Sequence, residues 1–423
     1  MKYEIKQRIE QIKAGQVPDG YKRTKIGIVP AEWNNTCFSD LFVSKSEYTE
    51  DLVKYPLYSL TIEDGITAKS ERYERSHLVK KENAYKVVEP NDFAYNPMNV
   101  RFGAVARHKG NIPVCVSGYY DIFTTTEKHD LKFMDSFLIS SMMIRYYNKV
   151  STGSLVEKQR VHFSEFIEFD LPLPHPEERE KIAEFLSVQD EVIELEEKLL
   201  VEKKKQKKYL MQQLLTGKKR LPGFSEEWRI VPLNQIAEKQ TTKNSDYTFS
   251  LVFSNSAQNG VVPQDEQFDK DIANDENIDH YYILSPDDFV YNPRISVTAP
   301  CGPINMNETG KVGVISPLYT VFRTKDSMVE NSYLKQYFKS SIWFRYMKSV
   351  ANYGARHDRM NITDEDFFKM PILLPSIDEQ IAIEKILASA DKEIEILQLN
   401  LEQEKQKKKA LMQLLLTGII RVG

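Results

Sequence analysis

Two stretches of the 423-residue chain place apolar residues at alternating spacings of four and three. In the distal stretch the seam runs Ile383, Leu387, Ala390, Ile394, Leu397, Leu401, Glu404, Lys408, Leu411, Leu415, and eight of these ten positions are apolar. In the central stretch the same frame holds Ile182, Leu186, Gln189, Ile193, Glu196, Leu200, Lys203, Lys207, Leu210 and Leu214, six of them apolar. That period is the seam of a coiled coil and predicts one long helix in each stretch. Each seam covers 33 residues, or about 50 Å at 1.5 Å per residue. Pro174-His175-Pro176 and Pro375 stop the preceding strands, placing the helices within 176–217 and 376–423. Gly217 and Gly418 sit where C-caps belong. Imperfect seams need a partner: either the two helices pack antiparallel on each other, or each packs on its own globular domain.

The segments 34–175 and 218–375 have another texture. Short runs rich in Val, Ile, Tyr, Phe and Thr alternate with turn signals, which predicts two mixed α/β (α+β) domains. Within them SFLISSMMIRYYNKV (136–150) and SYLKQYFKSSIWFRYMKSV (332–350) show helical periodicity.

The chain is written twice. LMQQLLTG (210–217) returns as LMQLLLTG (411–418), seven of eight positions identical at an offset of 201. PNDFAYNP (90–97) matches PDDFVYNP (286–293), VSGYYDIF (116–123) matches ISPLYTVF (315–322), and SSMMIRYYNKV (140–150) matches SSIWFRYMKSV (340–350), all in the same order. The unit of repetition is therefore one domain plus one helix. The amphipathic N-terminal segment (1–33), with Ile5, Ile9 and Ile12, corresponds to the end of a long helix and the lead-in to a domain, so the chain reads as cyclic.

Composition narrows the function classes. At 41% hydrophobic and 11% aromatic residues, wholesale disorder is excluded. No run approaches the ~18 apolar residues of a membrane span, and the N-terminus has no apolar signal core. Cys37, Cys115 and Cys301 form no C-x-x-C pair, so neither zinc nor a disulfide framework is expected and a cytoplasmic setting is the default. Net charge is −4, yet residues 198–220 hold nine bases against Glu202 alone, and Lys405, Lys407, Lys408, Lys409 and Arg421 face no acid within 405–421. Such a face either tracks phosphates, binds an acidic partner or is simply solvated.

No catalytic or metal-binding constellation is legible. There is no G-x-G-x-x-G after a strand and no P-loop, so no cofactor is expected in this chain. YNPM (95–98) and YNPR (291–294) lack the second proline and the aromatic of an amino-methyltransferase box, and read as strand-ending turns. Pro286-Asp287-Asp288 has a counterpart, Pro90-Asn91-Asp92, that lacks the first acid, and no E-x-K partner follows, which argues against a nuclease metal site.

These residues together resemble the specificity (S) subunit of a type I restriction-modification enzyme. The marks are LPLPHPEEREKIAEFLSVQDEVI and ILLPSIDEQIAIEKILASADKEI opening the long helices, KKKALMQLLLTG closing one, and IVPAEW and GFSEEW entering the two domains. The resemblance covers essentially the whole chain. It implies two target recognition domains in a pseudo-twofold repeat, separated by two long antiparallel helices as a coiled coil. Each domain would read one half of a bipartite double-stranded DNA site across a non-specific spacer that the helices measure. It also implies partners: two methyltransferase (M) subunits carrying S-adenosylmethionine, and restriction (R) subunits using ATP and Mg. The alternatives are a specificity subunit of a methyltransferase with no restriction partner, and a coiled-coil scaffold that binds proteins only.

Resemblance transfers no base-reading residue. Readers should be Arg, Lys, Asn, Gln or aromatic groups on loops that reach a groove. The candidates are Lys69, Arg72, Arg75, Arg101, Lys158 and Arg160 in the first domain, and Gln258, Asn259, Arg294, Arg356, His357 and Arg359 in the second. For the M-subunit contact, exposed apolar positions near the helix ends are expected: Leu210, Met211, Leu214, Leu215, Leu411, Met412, Leu415 and Leu416.

Overall fold

The computed structural model describes residues 2–68, 84–128, 130–155, 158–264, 278–325, 328–352 and 358–422. The chain divides into two compact units, Met1–Glu197 with Leu399–Gly423, and Lys198–Gln398. Each unit therefore takes one of the two mixed α/β domains and part of both long helices. Those helices run Pro176–Leu214 (the central helix) and Ile377–Leu416 (the distal helix). Pro176 opens the first as an N-terminal proline should, with fixed φ and no N–H to leave unpaired. Gly217 and Gly418 follow the helix ends at φ +68° and +67°, where a side chain would be strained.

Each unit holds a four-stranded antiparallel sheet built from equivalent pieces of sequence. In the first, Val105–Arg107, Phe93–Tyr95, Asp121–Thr125 and Phe42–Lys45 lie in that order. In the second, Ile304–Met306, Phe289–Tyr291, Thr320–Thr324 and Ala237–Gln240 repeat it. The period of two explains the D-F-(A/V)-Y motif. Phe93, Tyr95 and Phe123 enter the main core of their unit while Ala94 and Ile122 enter a second cluster behind the sheet. Phe289, Tyr291 and Phe322 do the same against Val290 and Val321. Among the described strands only Val252–Ser256 and Gly313–Ile315 pair in parallel, so the fold is mixed α and β with antiparallel sheets dominating.

Both helical stretches inside the domains are interrupted. Helices Asp130–Phe137 and Ser141–Val150 flank a break where the Ser140 hydroxyl accepts the Met143 N–H (3.3 Å) and starts a new helix. The counterparts are Asn331–Lys339 and Phe344–Val350.

The seam positions of both long helices are all buried or part-buried, and most residues between them are exposed. Gln189, Lys203, Lys207, Glu404 and Lys408, polar seam residues, find partners on the other helix. In unit one Gln189 donates to Glu404 (2.6 Å) and Lys408 pairs with Asp190. In unit two Lys207 pairs with Asp391 and Lys203 with Glu393 (2.5 Å). Lys207–Asp391 and Lys408–Asp190 are the same contact made twice, 201 positions apart. Within each unit the segments run antiparallel, and polar seam residues of this kind specify register at some cost in stability.

Each domain is locked onto its helices by a tryptophan, a glutamate and an arginine. In unit two, buried Glu379 accepts two hydrogen bonds from Arg220 (2.8 Å each) and one from the Trp228 indole (2.9 Å). In unit one, Glu178 accepts from Arg421 (2.5 and 2.8 Å) and from Trp33 (3.2 Å). These hydrogen bonds raise the pKa of Arg220 and Arg421, as expected of charge-assisted pairs. The second copy of the lock joins the two ends of the chain. The N-terminal helix Lys2–Lys13 and the hairpin after it reinforce it: Arg8 donates to the Ile419 carbonyl (2.5 Å) and the Tyr21 hydroxyl to that of Gly418 (2.7 Å).

Candidate nucleic-acid interface

The described candidates fall into two local groups. In unit two a cleft of about 470 Å³ is lined by Arg294, Arg359, Gln264, Tyr281 and Tyr319 among others. Arg294 and Arg359 face each other across an isolated antiparallel bridge. Asp358 lies 3.9 Å from one guanidinium and 4.0 Å from the other, too far and too exposed to neutralise both. Gln258 and Asn259 are exposed at the tip of the hairpin Val252–Ser256/Gly260–Pro263. The Ser256 hydroxyl, on the cleft wall, accepts both of their backbone N–H groups (3.3 Å each), fixing that tip. Behind the cleft Asn255 donates to the Val290 carbonyl (2.7 Å), Asn305 donates to Asn255 (2.7 Å), and Asn292 donates to the Asn255 carbonyl (3.0 Å). This amide network, centred on buried Asn255, ties the wall together.

In unit one the Lys158 side chain is exposed and Arg160 part-buried, the latter bridged to Thr152. Arg101 is not an exposed reader. It is 8% exposed, lies over the Phe102 ring and donates to Gln159 (3.0 Å), so it ties its turn to the 158–160 segment. Lys69, Arg72, Arg75, Arg356 and His357 lie outside the described residues.

The helix-end positions proposed for partner binding need correcting. Leu215 and Leu416 are fully buried and Leu214 and Leu415 nearly so. Leu411, Met412, Leu415 and Leu416 pack in the core of unit one; Leu210, Met211, Leu214 and Leu215 pack in that of unit two. The seam ends by plugging each helix into a domain, which a sequence stripe cannot distinguish from an exposed patch. The exposed apolar surface lies elsewhere on the central helix: Phe185, Val188, Val192 and Leu195, at spacings of three, four and three, are 57%, 57%, 36% and 64% exposed. The basic stretches are less available than their charge suggests. Lys203, Lys205, Lys207, Lys405, Lys407 and Lys408 all sit in ion pairs.

The acidic turns are structural. Asp288, fully buried, accepts the Ser285 N–H (2.8 Å) and two hydrogen bonds from Arg323 (2.6 and 2.9 Å). Asp92 accepts the Glu89 N–H (3.1 Å) and pairs with Lys45 (2.6 Å). The YNP asparagines cap the following turn, Asn96 accepting from Met98 (3.1 Å) and Asn292 from Arg294 (3.0 Å). Among the described residues no three His, Cys, Asp or Glu side chains are grouped to hold a metal ion. No described helix is long and apolar enough to cross a membrane.

The fold, with a four-stranded sheet of the same strand order in each unit, is similar to that of type I restriction-modification S subunits. Over 93% of this chain it matches a chain from a structure of complex assembly and conformational transition in the type I R-M system, with TM-score 0.55, 15% identity and 99% of that chain covered. The crystal structure of the type I S subunit from M. genitalium matches with TM-score 0.51 and 13% identity over 91% of this chain and 96% of that one. In sequence, the Methanocaldococcus jannaschii protein assigned as the type I restriction enzyme MjaX specificity subunit is 26% identical over 444 aligned residues, 96% of this chain and 97% of its own length. The MjaVIII specificity subunit of the same organism is 27% identical over 288 residues, 61% of this chain and 63% of that one. No family model matches. The resemblance read from the motifs therefore holds: this chain is a homologue of type I restriction enzyme specificity subunits.

Proposed function

We propose that the chain is the DNA sequence-specificity subunit of a type I restriction-modification complex. Its two recognition domains each read one half of a bipartite site, and the long helices run on through both units as an antiparallel ruler that sets the spacer. The chain itself is non-catalytic; S-adenosylmethionine, ATP and Mg belong to partner subunits, two M and the R subunits, in the cytoplasm. The observation that carries this reading is the end-to-end likeness to a specificity subunit, over 96% of this chain and 97% of that relative. Co-expression with the M partner followed by methylome sequencing tests it. Adenine methylation is expected in one bipartite sequence, with none from the chain alone; methylation by the isolated chain would overturn the division of labour. Cleavage that requires ATP and an R subunit separates a full restriction system from a methyltransferase alone.

The M-docking surface is assigned to Phe185, Val188, Val192 and Leu195. An exposed heptad-spaced stripe beside an occupied seam is what a further helix needs to pack. Val188→Asp combined with Leu195→Asp should abolish co-purification with the M subunit. The melting temperature of the chain should hardly move, because both side chains already face solvent. Retained co-purification would place the M contact elsewhere.

A further inference from the structure

The Arg294–Arg359 bridge has a neighbour. Asn352 and Asn361 form a second isolated antiparallel bridge, so three extended segments of unit two lie side by side: 292–296, 358–362 and 351–352. The Ile295 N–H donates to Asp358 (3.0 Å), that of Met360 to Pro293 (2.9 Å) and that of Asn352 to Asn361 (2.9 Å). Side chains at i and i+2 of an extended segment share a face, and directly paired residues share it across the bridge. Arg294, Arg359, Asn361 and Asn352 thus stand together, while Met360, between two of them, is turned into the core. Arg294, Asn352 and Asn361 are exposed and Arg359 is part-buried.

Two arginines directly opposite one another destabilise a sheet unless something answers their charge. Among the described residues the two asparagine side-chain amides have no partner. Beneath them a depression of about 370 Å³, adjoining the cleft through Arg359, is lined by Asn352, Asn361 and Tyr291. The Tyr291 side chain is buried, its hydroxyl has no hydrogen-bond partner, and burial raises its pKa, so it remains a protonated donor. Its repeat counterpart Tyr95 donates to the Val161 carbonyl (2.9 Å). Unit two therefore leaves unmade a hydrogen bond that unit one makes, at the floor of a polar surface.

We infer that Arg294, Arg359, Asn352 and Asn361 are the base-reading face of unit two and that its half-site contains guanine and adenine. Arginine meets the guanine O6 and N7 edge with two hydrogen bonds, and asparagine meets the adenine N6 and N7 edge likewise. Unit one presents Thr152 and Arg160 at its own bridge, a different pair of groups. The inference rests on the proposed DNA-recognition role and names the chemistry of one half of it.

The test is selection from random-sequence duplexes by the full-length chain co-purified with its M partner. The wild type should return a bipartite motif with guanine and adenine in one half. Arg294→Ala should reduce discrimination at a guanine of that half by roughly 5- to 150-fold, the range for one bidentate pair, and leave the other half untouched. Arg294→Lys should do the same despite keeping the charge, because it loses the fork. Asn352→Ala with Asn361→Ala should relax an adenine position. Melting curves verify that each variant is folded, and the lysine variant covers any failure of the alanine. An unchanged motif in folded variants overturns this assignment and leaves the recognition role standing. A wild type with no bipartite preference overturns both.

Discussion

Trp33→Ala should lower the stability of unit one by about 3–5 kcal/mol, the range for removing a large buried aromatic. For a body of this size that is a drop of roughly 6–20 °C in its melting transition. The Trp33 side chain is fully buried, packs with Val29, Leu416 and Leu171 in the main core, and donates to the Glu178 carboxylate. A methyl group at Gly418 would come within 2.4 Å of Pro30 and 3.0 Å of Trp33, which shows how closely the two chain ends meet there. Trp228, its counterpart, is only part-buried, and a methyl group at Gly217 would lie 3.4 Å from it. Trp228→Ala should therefore cost less. Calorimetry that resolves the two units provides the measurement. Equal losses in both variants would show that the junction of the chain ends is no more important than the internal copy. Trp33→Phe should cost about 1 kcal/mol beyond its change in volume, the worth of one hydrogen bond, because Glu178 loses the indole donor but keeps both of its bonds from Arg421.

That lock shows where sequence reasoning reached and where it stopped. The seams, the repeat and the cyclic relation of the ends were legible because each depends on period or identity along the chain. Gln189, Glu404, Lys207 and Lys408 break the apolar pattern; Gln189 and Glu404 pair with each other across the seam, while the lysines' partners Asp391 and Asp190 lie off it, and both arrangements become visible only when the helices are paired. Burial at the helix ends was misjudged for a related reason. Leu215 and Leu416 continue an apolar stripe whichever way they face, and only the docking of the helix ends in the domain cores fixes the direction. The exposed stripe from Phe185 to Leu195 was present in the sequence at heptad spacing, overlooked beside the stronger seam. Arg294 and Arg359 were chosen as basic residues after turns; their pairing joins segments about 60 residues apart, and Asn352 and Asn361 reach the same face only through their bridge to the Arg359 segment, which no local pattern encodes.

Exchange of the first recognition domain for that of a relative should replace one half-site completely and leave the other half-site and the spacer as they are. The boundaries follow from the strand pairs that close each domain. Asn34–Cys37 pairs with Asp170–Leu173, Asn34 directly opposite Leu173. Arg229–Pro232 pairs with Pro371–Leu374, Arg229 opposite Leu374. Cutting at 34 and 173 keeps a whole ladder inside the exchanged piece, and leaves Trp33, Glu178 and Arg421 with the helices. A cut inside the ladder would strand unpaired backbone groups at a buried edge. The incoming domain must still fill the pocket around Leu415 and Leu416, so Phe166 and Leu171, which form that core with them, need equivalents of similar volume. Methylome sequencing of cells expressing the hybrid with the M subunit reads both halves and the spacer at once. If both halves changed, recognition would not be divided between the domains. If the spacer changed while the second half stayed fixed, the domains rather than the helices would set the distance.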